Sequence, residues 1–374
     1  MKIKTITCHN VYNYGASLQA YALMHYLENT GHDVEIIDYL PDYKKVYNFT
    51  KVPQKGKMAK MIRIMPFLKR LLALIHNRKT IRLLPKKKYF DSFTRNYLHL
   101  TSRQYNDYRD LEKNPPYADL FIAGSDQIWN TAHGNGIDPA FYCLFEKIKD
   151  KCITYSASFG ISQIPSEHED FVRQSLRHFR AISVREKTGA DIIARYGIES
   201  QIVVDPVFLL RKKEWMDLCK KDLSGNRYLL LYDFKLNDPE VEKVARKVAE
   251  ERCLKIYSIY STPKYADRFL KKVGPIEFLE LVKGADFVVS TSFHATAFSV
   301  LFEKDFYTFA QKGEENSSRM SDFLSSIGLE SRFLMNSDNI VPSQPVDYKL
   351  VRNKLEISVE YSKKWLLNNL YNAE

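Results

Sequence analysis

Several signatures that would assign this chain quickly are missing from it. Its five cysteines (Cys8, Cys143, Cys152, Cys219 and Cys253) are scattered, odd in number and without a CxxC pair. That excludes a disulfide framework and a zinc site, and suits reduced thiols in a cytoplasmic protein. No apolar run approaches the roughly 18–20 residues that span a bilayer. The opening "MKIKTITCHN" lacks the apolar core and cleavage site of a secretory signal, so cytoplasmic residence is expected. Neither GxGxxG nor GxxxxGK[ST] occurs, which removes support for nicotinamide and P-loop chemistry. No internal repeat, low-complexity tract or metal-ligand cluster is visible, and neither a metal nor another cofactor is expected.

One further absence is local. Residues 51–90 contain thirteen Lys or Arg and not one Asp or Glu. Taking those thirteen from the net charge of +11 leaves the rest of the chain at −2, so the basicity belongs to one segment. Met61, Ile62, Ile64, Met65, Phe67, Leu68, Leu71, Leu72, Leu74 and Ile75 make that segment amphipathic as well. Basic amphipathic helices suit an anionic membrane surface, where each cation contributes about 1 kcal/mol. Nucleic acid is not expected, because no binding motif accompanies the charge. A solvated helical hairpin with no partner is the alternative.

At 374 residues the chain exceeds one ordinary core, and a hydrophobic content of 45% excludes a disordered one. β-rich stretches alternate with helical periodicity throughout. "IKTITC", "DVEIID", "ADLFIAG" and "KCITYSASFG" read as strands of a first half, separated by helices such as "NYGASLQAYALMHYLENTG", with Gly31 as its stop. "AISV", "QIVVD", "RYLLLYDF", "LKIYSIYS" and "DFVVSTS" repeat the pattern in a second. The expected fold is α/β, with two Rossmann-like domains facing a cleft. Residues 1–178 form the first domain, with the basic insert at about 45–90. Residues 179–345 form the second, and 346–374 a helix packing back across both.

In open α/β sheets ligands bind beyond the carboxyl ends of strands, and four such ends are polar. In "HNVYNYGAS", Asn13 and Gly15 offer a helix N-terminus to an anion, or simply a cap. "AGSDQIWN" packs Asp126, Gln127, Trp129 and Asn130 into one loop; aromatic faces with carboxylates and amides suit a sugar, although Gly-Ser-Asp is also ordinary turn chemistry. In "SVRE", Arg185 can aim its fork into the cleft or pair with Glu186 or another surface acid. In "FVVSTSFHATAFSVLF", Ser292 and His294 stand where a strand gives way to a helix, and histidine is the side chain most readily tuned to move protons near neutral pH. "QKGEENSSRMSDFL" adds Lys312 and Arg319 downstream.

Together these stretches resemble the polysaccharide pyruvyl transferase family. The likeness lies in "NYGASLQAYALMHYLENTGHDVEIIDY", "IAGSDQIWN", "TYSASFG", "ISVREKTGADIIARYGI", "VVDPVFLL", "PIEFLELVKGADFVVSTSFHATAFSVLF" and "SSRMSDFLSSIGL". These blocks fall in family order to about residue 330, with the basic segment outside the shared pattern. The resemblance implies a glycosyltransferase-B-like fold, phosphoenolpyruvate as donor and a sugar with two hydroxyls as acceptor. The product would be a ketal-linked pyruvate. It implies His294 as general acid. Some members carry arginine two positions earlier, where this chain has Ser292, so a cation is required from Arg185 or Arg319, with Lys312 behind. Asn13 and Gly15 would contribute a helix N-terminus to phosphoenolpyruvate. Asp126, Gln127, Trp129 and Asn130 would face the acceptor, with Asp126 as base. A lipid-linked oligosaccharide at the inner membrane face would give the basic segment a use. The rival readings are a glycosyltransferase using a nucleotide sugar and a non-catalytic, membrane-docked scaffold of polysaccharide assembly.

Overall fold

A computed structural model describes residues 1–44, 84–234, 238–310, 317–337 and 345–371, together with Met61, Ile64, Met65 and Phe67. Apart from those four residues, the basic segment from 45 to 83 and the helices expected in it, like Lys312, lie outside the described residues.

Two parallel sheets form the frame. The first contains β1 (Lys2–Ile6), β2 (Asp33–Tyr39), β3 (Leu100–Tyr105), β4 (Leu120–Asp126), β5 (Cys152–Ala157), β6 (Ser183–Val184) and β7 (Gln201–Ile202), in the order β3-β2-β1-β4-β5-β6-β7. The second contains β8 (Tyr228–Tyr232), β9 (Lys255–Ser258), β10 (Arg268–Phe269), β11 (Phe287–Ser290), β12 (Asp305–Phe309) and β13 (Phe333–Leu334), in the order β10-β9-β8-β11-β12-β13. Around them run α1 (Tyr14–Asn29), α2 (Leu84–Tyr97), α3 (Tyr108–Lys113), α4 (Ser166–Leu176), α5 (Lys187–Arg195), α6 (Lys212–Leu218), α7 (Pro239–Arg252), α8 (Pro275–Gly284), α9 (Phe293–Leu301), α10 (Ser317–Ile327) and α11 (Tyr348–Tyr371). Among the described residues no helix is long and apolar enough to cross a membrane.

Helices cover both faces of each sheet, so central strands such as β8, "YLLLY", are buried at every position rather than at alternate ones. Each sheet order reverses direction once, between β1 and β4 and between β8 and β11. Register brings the ends of those pairs level, Ile6 beside Ala123 and Ser290 beside Tyr232. The four loops that follow are the ones a doubly wound sheet offers to ligands.

The division at residue 178 needs correcting. "AISV" and "QIVVD", expected in the second half, supply β6 and β7 of the first sheet, pairing outward from Ala157. Both strands are two residues long, so their sheet is decided by distant pairing and not by pattern. α1 departs from expectation as well. Instead of one apolar face, every residue from Tyr14 to Met24 is buried. The cause is a second partner: α1 packs on its own sheet and also against α8 and α9 of the other half. One apolar core therefore runs through both, from Ile3 and Leu18 to Leu230, Phe278 and Phe298.

α11 crosses the same junction. At its start Tyr348 donates to Ser299 O at 3.4 Å and Arg352 pairs with Glu303. Towards its end Ser362 accepts from Val204 N at 3.0 Å, and Trp365 lies beside Tyr155 with ring centroids 6.4 Å apart.

Candidate active site

The loops at the two switch points enclose a cleft of about 460 Å3, whose walls include Asn13, Asp126, Gln127, His133, Ser292, His294 and Arg319. Local chemistry forms its rim. Asn13 is extended (φ −111°, ψ 129°) and caps α1, its side chain accepting from Ala16 N at 3.2 Å. Ser292 caps α9 in the same way, accepting from Ala295 N at 3.4 Å. The polar triplet before His294 ties two strand ends together. Ser290 donates to Tyr232 O at 2.9 Å, and Thr291 donates to Asp233 at 3.2 Å while accepting from Phe234 N at 3.1 Å.

His294 is the second residue of α9, and its ring lies on the first turn of α1. A Cβ at Gly15 would stand 1.9 Å from its Nδ1 and 2.2 Å from its Cγ, so glycine is what permits the contact. Two helix N-termini thus converge on one imidazole, and both leave outward-pointing N–H groups suited to an anion.

Beneath the ring sits a buried ion cluster. Asp205, from the loop after β7, accepts from Arg185 Nη1 at 2.7 Å, from Val207 N at 3.1 Å and from Ser125 Oγ at 3.4 Å. Its Oδ2 lies 3.5 Å from His294 Nε2. Burial alone would raise the Asp205 carboxyl, but His294 and Arg185 outweigh it and hold the group well below the usual carboxylate range. Arg185 is almost fully enclosed, with Asp126 and Glu186 each at 3.7 Å and the Phe293 ring centroid at 5.0 Å. Burial would lower its pKa; Asp205, Glu186 and Asp126 overcome that and raise it. Glu186 is itself held by Ser158 Oγ at 2.9 Å and Phe159 N at 3.1 Å.

Arg319, on α10, reaches the cleft from the far side of this cluster. Burial and then the like charge of Arg185 lower it to about 10, a shift that an incoming anion would oppose. Asp126 ends β4 with φ 70°, a left-handed conformation costing a non-glycine residue about 1–2 kcal/mol. Its carbonyl accepts from Ile128 N at 2.8 Å and Ser158 N at 3.1 Å, which hold the turn. Such local strain is characteristic of functional loops.

Six of the residues singled out from the sequence meet here: Asn13, Asp126, Gln127, Ser292, His294 and Arg319 line the cleft. Gly15 lies directly under the histidine. Three others sit elsewhere. Trp129 is fully buried, its indole donating to Phe141 O at 3.1 Å and stacked on Tyr142 at 5.6 Å. Asn130 is turned inward, donating to Gln127 Oε1 at 3.1 Å and accepting from Ala132 N at 3.0 Å. Arg185 is absent from the cleft wall, because Asp205 draws its guanidinium underneath. It does pair with Glu186, as the alternative reading of "SVRE" has it, but its shortest ion pair is to Asp205, a buried acid and not a surface one. Asp205 is not among the residues that the sequence singles out, although "QIVVD" ends a strand in a carboxylate just as "AGSD" does.

The family model for polysaccharide pyruvyl transferase matches residues 13–313. No curated protein matches the chain. Among solved structures, UDP-GlcNAc 2-epimerase from Neisseria meningitidis bound to UDP-GlcNAc aligns over 100% of both chains at 9% identity, with a TM-score of 0.52. The corresponding enzyme from Methanocaldococcus jannaschii aligns over 96% of this chain and 93% of its own at 12% identity, with a TM-score of 0.46. Heptosyltransferase WaaC from E. coli aligns over 84% and 90% at 10% identity, with a TM-score of 0.36. At these identities the likeness is one of architecture, which is glycosyltransferase-B-like.

Proposed function

Because the chain belongs to the polysaccharide pyruvyl transferase family, we propose that it moves pyruvate from phosphoenolpyruvate onto two hydroxyls of a sugar. Protonation of the enol at C3 creates the methyl group and leaves C2 electron-poor. One acceptor hydroxyl adds to C2, the C2–O bond to phosphate breaks, and the second hydroxyl closes the ketal. The two hydroxyls release two protons; one balances the proton taken up at C3 and the other leaves with phosphate.

Such chemistry needs a proton donor over the methylene carbon and positive potential around the carboxylate and phosphate. His294 is assigned the donor role. Arg319 and the N-termini of α1 and α9, at Asn13, Gly15 and Ser292, are assigned the anionic groups, with Lys312 a further cation for them. Arg185 acts from below through Asp205. Asp126 is assigned as base for the acceptor hydroxyl, with Gln127 beside it, while the burial of Trp129 and Asn130 argues against sugar stacking there. The acceptor is assigned as a lipid-linked oligosaccharide, met at the inner membrane face through the basic segment. The exposure of Ile64 (76%) and Phe67 (78%) within that segment supports this docking.

The observation that carries the reading is the convergence of His294, Arg319 and two helix N-termini on one cleft. Phosphate release from phosphoenolpyruvate, measured with aryl and lipid-linked galactosides, mannosides and N-acetylhexosaminides, tests it. Acceptor-dependent release by wild type and not by His294→Ala is the expected result. No release with any acceptor, together with calorimetric binding of a nucleoside diphosphate, would replace the reading with glycosyl transfer.

A further inference from the structure

His294 presents its two nitrogens to different surroundings. Nε2 is sealed from solvent and faces Asp205 Oδ2 at 3.5 Å, while Nδ1 lies over the first turn of α1 at Gly15. Resting on the reading above, we propose that Asp205 is a positioning residue that decides which nitrogen moves the proton. Nε2 keeps its hydrogen on the Asp205 carboxylate throughout, and Nδ1 gives and regains the proton that reaches the substrate.

The argument turns on what Asp205 can accept and what else surrounds the ring. An ionised carboxylate only accepts hydrogen bonds. Asp205 is held in the ionised form by three other donors: Arg185 Nη1 at 2.7 Å, Val207 N at 3.1 Å and Ser125 Oγ at 3.4 Å. Whatever imidazole nitrogen faces it must therefore carry a hydrogen, in the neutral ring and in the charged one. The remaining charged groups of the cluster do not compete for that place. Arg185 and Arg319 can only donate. Glu186, from the end of β6, is engaged by Ser158, Phe159 and Arg185. Asp126, from the end of β4, lies towards Arg185 at 3.7 Å. On the α1 side the ring meets the backbone of Gly15, which carries no titratable side chain.

Nδ1 is thus the nitrogen left for a ligand in the cleft, on the side where the N-terminus of α1 favours an anion. The charged ring gives its Nδ1 proton to C3 of the enol and becomes the neutral Nε2–H tautomer, its Nε2 hydrogen still turned towards the Asp205 carboxylate 3.5 Å away. A proton released by an acceptor hydroxyl returns the ring to its starting form. Asp205 does not line the cleft, so its effect should appear in the proton-transfer step and not in donor binding.

Long-range 1H–15N spectra of protein labelled with [15N]histidine test this without turnover, the His294 signals being assigned from their loss in His294→Gln. With the ring neutral, wild type should give a protonated Nε2 and a bare Nδ1. An Nδ1–H tautomer in wild type overturns the proposal. In Asp205→Ala the single tautomer should be lost. In the phosphate-release assay kcat should fall about 100-fold, within the range general acids contribute, with the KM for phosphoenolpyruvate held within about threefold. A variant with wild-type kcat, or one that changes KM alone, also overturns it. Should Asp205→Ala fail to fold, the wild-type spectrum decides by itself. Absence of phosphate release by wild type would instead sink the donor reading and leave the tautomer assignment standing on the spectra.

Discussion

The imidazole of His294 occupies the space that a side chain at Gly15 would need: a Cβ there would come within 1.9 Å of Nδ1. The glycine at the start of α1 is therefore an element of the histidine's placement. Gly15→Ala should fold, since alanine is the better helix former and every neighbour of α1 remains. The ring, however, must be displaced by more than an ångström, and misplacement of that size costs about 100-fold in rate. Phosphate release and thermal melting, measured on one preparation, check this; an active Gly15→Ala would mean that the ring has another productive position.

Trp129 separates a structural aromatic from a sugar-stacking one. Trp129→Phe removes the indole hydrogen bond to Phe141 O, a loss of about 0.5–1.5 kcal/mol. The melting temperature should drop while the acceptor KM stays within about twofold. A large rise in acceptor KM with unchanged melting would put the indole in the binding site after all.

Lys86 lies at the junction between the halves and predicts a pH effect with a definite sign. Its ammonium donates to Tyr14 Oη at 2.9 Å and Ile259 O at 2.6 Å, and burial lowers its pKa from 10.5 to about 8. Below pH 8 the folded and unfolded chains both hold the proton, and the cost of burying the charge is fully felt. Between about 8 and 10.5 the unfolded chain keeps the proton and the folded one sheds it, so this group's contribution to stability rises with pH. The stability of wild type relative to Lys86→Met should climb across that window, by on the order of 3 kcal/mol at most. Urea unfolding at a series of pH values measures it, and a flat difference would place the Lys86 titration outside the window.

The basic segment should act on membranes and not on chemistry. Replacing every Lys and Arg from 51 to 83 by Gln should abolish co-sedimentation with anionic vesicles at low salt. Turnover of a soluble acceptor should remain within about twofold. The substitution must stop at residue 83, because α2 begins at Leu84 and Lys86 is a buried contact. Sedimentation equal to that of wild type would remove the membrane from the reading.

Much of this molecule was legible in one dimension. Strands and helices follow from apolar periodicity and from caps such as Asn13 and Ser292, which are properties of neighbouring residues. The cleft loops could be located because a doubly wound sheet places its strand ends there, whatever the side chains. The side-chain directions within those loops could not. Trp129 and Gln127 share one turn, yet the indole enters a pocket built by Tyr142 and Phe159 while the amide lines the cleft.

What the sequence by itself determined is the alternating pattern, the family likeness and the residues available at each strand end. Tertiary structure alone decided that β6 and β7 extend the first sheet, that α1 is buried against both halves, and that Arg185 is drawn beneath the cleft while Arg319 remains in its wall. The reason is physical. Periodicity and capping are satisfied within a turn or a strand, whereas a buried charge finds its counter-charge wherever folding brings one. For Arg185 that partner is Asp205, which also faces His294 and which no local pattern connects to either.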